Sequence, residues 1–181
     1  KEQGFLCGHL ALSKVISEYP VDDGALTPGY AMYLKKLFAK NGLDIAVLGC
    51  YLNLANPNEE QLAKITHRYL AHIRFASLLG VGVVGTETGA VNEEYKFEEK
   101  NHSDEALDIF IQNVKPVISY AEKMGVIFAI EPVWKHIVCN PKRARKVLDA
   151  VASPNLQIIF DPVNLLDHSN YQNREEIFAE A

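Results

Sequence analysis

Apolar residues recur at three- and four-residue spacing in four stretches of the chain, and each stretch is followed by a short run rich in Val and Ile. The periodic stretches predict helices, and each carries its own punctuation. The first opens at Thr27-Pro28, a cap residue followed by Pro at the first helical position, and stops at Gly42. The second opens at Asn58 with Glu59 and Glu60 in its first turn and ends at Gly80. The third runs from Ser103 to Gly125, with a kink expected at Pro116, where a helical hydrogen bond is lost. The fourth opens at Asn140-Pro141 and ends near Pro154. The apolar runs LDIAVLGCY (43–51), VGVVGTE (81–87), VIFAIE (126–131) and LQIIFD (156–161) predict strands, and FLCGHLALS (5–13) predicts one more before the first helix.

Strands alternating with helices of this length must run parallel, and a parallel sheet covered on both faces explains why the strands read as continuous apolar runs. Strand starts at 44, 81, 126 and 156 give a repeat of 30 to 45 residues, which suits a (β/α)8 TIM barrel. A doubly wound sheet is disfavoured: no GxGxxG or GK[ST] loop is present, and GTETG at 85–89 is neither. About five βα units are visible, so the reading is an α/β protein, a single partial barrel domain over residues 1–181. Both ends are expected to be cut, because the chain opens without Met and stops inside the helical pattern NREEIFAEA.

Composition narrows the function classes. Eighteen Lys and Arg against 23 Asp and Glu, a formal charge of −5, leave no clustered cations of the kind that nucleic-acid backbones require. Three widely spaced cysteines without a CxxC pair indicate neither a disulfide framework nor a zinc knuckle, so a reducing, cytoplasmic setting is expected. No apolar run is long enough for a membrane helix.

In a parallel barrel the chemistry lies at the carboxyl ends of the strands. Two of those ends repeat one design, an apolar strand, a carboxylate and Pro-Val: FAIEPV at Glu131 and IIFDPV at Asp161. Pro biases the preceding residue towards an extended conformation, so each carboxylate is expected at the last extended position of its strand. On adjacent strands, equivalent positions lie roughly 4.8 Å apart. Two carboxylates that close repel each other, and a divalent cation held by their oxygens resolves the repulsion. A lone Asp-Pro or Glu-Pro more often just starts a turn; it is the matched pair that points to a metal or to catalysis.

With AIEPV at Glu131, CNPKRARKVLDAVASPNLQIIFDPVNL leading to Asp161, and GTETG at Glu87, the span from about Leu43 to Leu166 resembles the xylose-isomerase-like barrel superfamily. That superfamily holds sugar phosphate isomerases and epimerases, inosose dehydratases and endonuclease IV relatives, and the pattern is most similar to the ketose 3-epimerases. The resemblance implies that Glu131 ligates the metal and moves a proton and that Asp161 is a ligand. The ion could be Mn, Mg, Co or Zn. The family has a substrate-contacting histidine three residues after that aspartate; here the position is Asn164, which keeps a hydrogen-bonding group but cannot titrate. The family's remaining ligands, a histidine and a second glutamate from two later strands, would fall beyond Ala181. The implied activity is a metal-dependent sugar or sugar-phosphate isomerase or epimerase, which abstracts a proton beside a carbonyl through a metal-stabilised enediolate. Alternatives are an inactive barrel kept for binding and an endonuclease IV-like zinc phosphodiesterase, the latter weakened by the acidic balance. A small sugar or polyol is the expected partner. The sequence leaves oligomeric state open, homo-oligomers being frequent in such families.

Further substrate-binding candidates are His136 and Trp134, on the loop after Glu131, and Glu87 at its own strand end. His136 reads equally as a solvated loop histidine and Trp134 as a plug of the barrel mouth. Glu87 is flanked by Thr86 and Thr88, which suggest a hydrogen-bonded strand end. Tyr51 and Asn53 are similar cases. His9, on the first strand with Lys14 just beyond it, reads as a satisfied core histidine. His67 and His72, five residues apart, do not share a helix face. The acidic stretch from Asn92 to His102 reads as a solvated loop or as a lid.

Overall fold

A computed structural model describes residues 3–17 and 21–181. Its elements, in chain order, are β1 (Cys7–Leu10), α1 (Leu12–Val15), α2 (Pro28–Lys40), β2 (Asp44–Gly49), α3 (Glu59–Leu79), β3 (Val83–Glu87), α4 (Asp104–Met124), β4 (Ile127–Glu131), α5 (Pro141–Val151), β5 (Leu156–Ile158) and α6 (Arg174–Glu180), with short 3-10 turns between them. The five strands form one sheet in the order β1-β2-β3-β4-β5, and every pairing is parallel. Sequential order without a reversal is barrel topology, and in a doubly wound sheet the order would switch.

The helix boundaries follow the punctuation. Side chains of Thr27, Asn58, Ser103 and Asn140 accept the backbone N–H three residues on, from Tyr30, Gln61, Ala106 and Arg143. Gly80 and Gly125 close α3 and α4 in left-handed conformations. α4 runs through Pro116 without interruption.

Side chains alternate across the strands. Leu48, Val84, Phe128 and Ile130 are fully buried towards the helices, and the Phe128 ring meets that of Tyr69 from α3 edge-on at 5.4 Å. The opposite positions face the concave side. A Cβ placed on Gly85 would stand 2.8 Å from Val47 of β2, 2.7 Å from Ile159 just past β5 and 3.7 Å from the His9 ring of β1. Residues from both ends of the sheet therefore meet in front of its centre, as in a barrel wall that has curled but not closed.

Two strands differ from their predicted bounds. β1 ends at Leu10, because the chain turns into a one-turn helix at Leu12. β5 is shorter than LQIIFD: its ladder covers Leu156–Ile158, with one further bond from Ile159 N to Ile130 O. Glu131 is the last residue of β4, but Asp161 lies beyond β5, so the two acids are not at equivalent strand positions.

Candidate active site at the strand ends

Glu131 and Asp161 nevertheless aim at one place. The Asn164 side-chain amide donates to Glu131 Oε1 at 2.5 Å and to Asp161 Oδ2 at 3.2 Å. A single nitrogen bonds both carboxylates, so their oxygens cannot be farther apart than those two distances end to end. Asp161 Oδ1 also accepts the Val163 N–H at 2.9 Å, a tight turn that the Asp-Pro sequence sets up. The second carboxylate thus reaches the mouth from a turn and not from a strand end.

The neighbouring strand adds a third acid. Glu87 and Glu131 are register partners on β3 and β4, side by side at the rim. Burial is the main cause that raises the Glu131 pKa; Glu87 and Asp161 push it the same way, and the Asn164 amide and Lys14 oppose them. Tyr51, beyond β2, is pushed up to about 12 by burial and then by Glu131 and Glu87. Its hydroxyl meets His9 Nε2 at 2.7 Å, and Lys14 Nζ sits 4.1 Å above its ring. His9 is accordingly an exposed residue of the concave face and not a core histidine.

His136 is buried at 2% exposure, which removes the solvated-loop reading. Burial is the larger cause and Lys135 the smaller that push its pKa down to about 4, so the ring is neutral near pH 7. Its Nδ1 is buried without a well-aligned hydrogen bond among the described residues; Glu87 Oε2 stands 3.5 Å away. Tyr95, which the sequence reading passed over inside an acidic loop, stacks on His136 at 5.0 Å and directs its hydroxyl to the same Glu87 oxygen at 3.4 Å. Trp134 is not brought to the carboxylates by its ring, which packs on Phe97 at 5.2 Å and lines a side cavity with His102. Its backbone N–H does bond Asn164 O at 2.8 Å, joining the loops that carry Glu131 and Asp161.

The acidic segment 92–102 is tied down. Buried Asn101 accepts from Val91 N and donates to the carbonyls of Lys96 and Lys135. Arg143, at the start of α5, donates to the carbonyls of Ile137, His102 and Ser103. Asn53 accepts from Ala55 N and Ala90 N and donates to Asn92 O. Thr88 accepts from Val138 N, and Thr86 bonds Tyr69 and the Glu87 carbonyl, as the flanking threonines suggested. His67 is exposed, and His72 is buried elsewhere on α3.

Glu131 and Asp161 are the residues that could hold a divalent ion. Two carboxylate oxygens converge, a third acid adjoins them, and the negative charge is only partly offset by Lys14. Among the described residues no group of three or more His, Cys, Asp and Glu is placed to hold an ion.

Solved structures share this architecture. A D-psicose 3-epimerase with D-tagatose from Clostridium cellulolyticum is 15% identical, with a TM-score of 0.72 over 97% of this chain and 60% of that one. A xylose isomerase-like TIM barrel protein from Mycobacterium smegmatis in complex with magnesium is 17% identical, with a TM-score of 0.65 over 99% and 59%. A 3-keto-D-glucoside 4-epimerase from E. coli is 13% identical, with a TM-score of 0.66 over 97% and 76%. The chain spans about three fifths of the length of most of these relatives, and no curated protein sequence matches it. The family model for the xylose isomerase-like TIM barrel matches residues 15–181, nearly the whole chain, and the protein belongs to that family.

Proposed function

We propose that the protein is a divalent-metal-dependent isomerase or epimerase of a small sugar or polyol, with Glu131 as the base. The observation that carries this reading is the Asn164 amide bonded to both Glu131 and Asp161, because it brings an acid at the end of β4 and an acid on the turn after β5 to one point. Structural relatives that are epimerases of free or oxidised sugars, one of them solved with D-tagatose and another family member with magnesium, support it.

Glu131 and Asp161 would hold the ion, which when bound would polarise the substrate carbonyl and offset the charge of the enediolate. The chain's own residues do the rest. Burial and the neighbouring acids raise the proton affinity of Glu131, which suits a carboxylate that must take a proton from carbon and return it. Asn164 aims that carboxylate. Glu87, Tyr51 and His136 present hydrogen-bonding groups to hydroxyls around it, and His136, being neutral, adds no charge that would compete for the ion. No helix among the described residues is long and apolar enough to cross a membrane.

The test uses the full-length protein. Titration with Mn2+ should show binding that is lost in Glu131→Gln and Asp161→Asn. A panel of ketohexoses in deuterated water should show metal-dependent uptake of deuterium on carbon in the wild type alone. A wild type that binds no divalent ion, or a Glu131→Gln variant that exchanges carbon-bound hydrogen as fast as the wild type, would refute the reading.

A further inference from the structure

Tyr95 has left-handed backbone, with φ of 56°, a conformation that costs a residue with a Cβ about 1–2 kcal/mol. The segment around it is fixed on both sides. Asn92 accepts the Lys96 N–H at 2.9 Å and donates to Lys96 O and Glu98 Oε1, while Asn101 donates again to Lys96 O. Such over-determination keeps one side chain in a strained place. That side chain lies between two groups of the mouth that do not otherwise bond well, its ring on His136 and its hydroxyl towards Glu87 Oε2.

We propose that Tyr95 is a positioning residue of the site, a single phenol that sets the orientation of both Glu87 and His136 towards the space in front of Glu131. The assignment rests on the reading of that space as the substrate site. Its geometry has two separable parts. The ring shields His136 from water, and the hydroxyl occupies the Glu87 oxygen that faces His136 Nδ1. The phenol must stay protonated to donate, and burial together with the charges of Glu87 and Glu131 holds its pKa far above the ordinary value. Contacts of 3.4 and 3.5 Å are long, as is common before substrate arrives and draws such groups together.

The two parts call for two variants in the full-length protein, Tyr95→Phe and Tyr95→Leu, read by the imidazole nitrogen signals of His136 across pH 3.5 to 7.5 without metal or substrate. Tyr95→Phe keeps the shield and frees the Glu87 oxygen for His136 alone, so His136 should titrate measurably higher than its wild-type value of about 4. Tyr95→Leu also exposes an edge of the ring and should raise it further, by about a unit or more. A residue that merely fills space would lower the melting temperature in Leu and leave Phe silent. Identical His136 titration in the wild type and both variants overturns the proposal, as does a Phe variant equal to the wild type. If the wild type binds no Mn2+, the metal reading fails while the His136 result still decides the role of Tyr95.

Discussion

Acid should unfold this protein through two neutral histidines. His72 on α3 is 4% exposed with Nδ1 3.0 Å from Arg68 O, and His136 is 2% exposed. Burial pushes both pKa values from 6.5 to about 4. Between those values the unfolded chain binds protons that the folded chain refuses, so stability rises with pH in this window and is lost on acidification from about 6.5 to 4. At pH 4 the loss comes to about 3 kcal/mol for each ring, or about 6 kcal/mol together, against a typical total of 5–15 kcal/mol. Glu131 works in the opposite sense, since its raised pKa favours the protonated, folded form as pH falls. Urea midpoints at half-unit pH steps for the full-length wild type, His72→Gln and His136→Gln would separate the contributions. Each variant should flatten the curve between pH 6.5 and 4 by about half of the two-histidine loss. A wild-type curve that is level across the window, or variants with the wild-type slope, would refute the reasoning.

Gly89 has φ of +87°, and a Cβ there would overlap Asn53 Oδ1, which is fixed by the N–H groups of Ala55 and Ala90; Gly89→Ala should cost about 2–4 kcal/mol, measured by chemical denaturation. Glu131→Gln removes a charge that burial and two acids disfavour, so at pH 7 without metal it should raise the melting temperature, while on the proposed reading ion binding should be lost. A lower melting temperature would mean that the carboxylate is structural.

The helices were legible because their signals are local: a cap at Thr27, Asn58, Ser103 or Asn140 acts on a backbone N–H three residues away. The parallel order followed from the alternation of elements, and the pair FAIEPV and IIFDPV marked the acids that Asn164 brings together. The two equal motifs do not occupy equal places. Phe160 and Asp161 leave the sheet because β5 pairs with β4 only as far as the Ile159 N–H, and strand length depends on the partner and not on the strand's own sequence. Tyr95 was illegible for a stronger reason. Its neighbours Glu93, Glu94 and Lys96 are polar and exposed, as a solvated loop requires. What turns its ring inwards is a set of amide side chains, Asn53, Asn92 and Asn101, whose partners lie up to 39 residues away. Asparagines in loops have no periodicity to betray such roles, so a site wall built from them emerges only when the loops after neighbouring strands are seen side by side. Glu131 closes the strand that carries it, whereas Asp161 and the Asn164 amide that bonds both acids lie on the loop beyond β5.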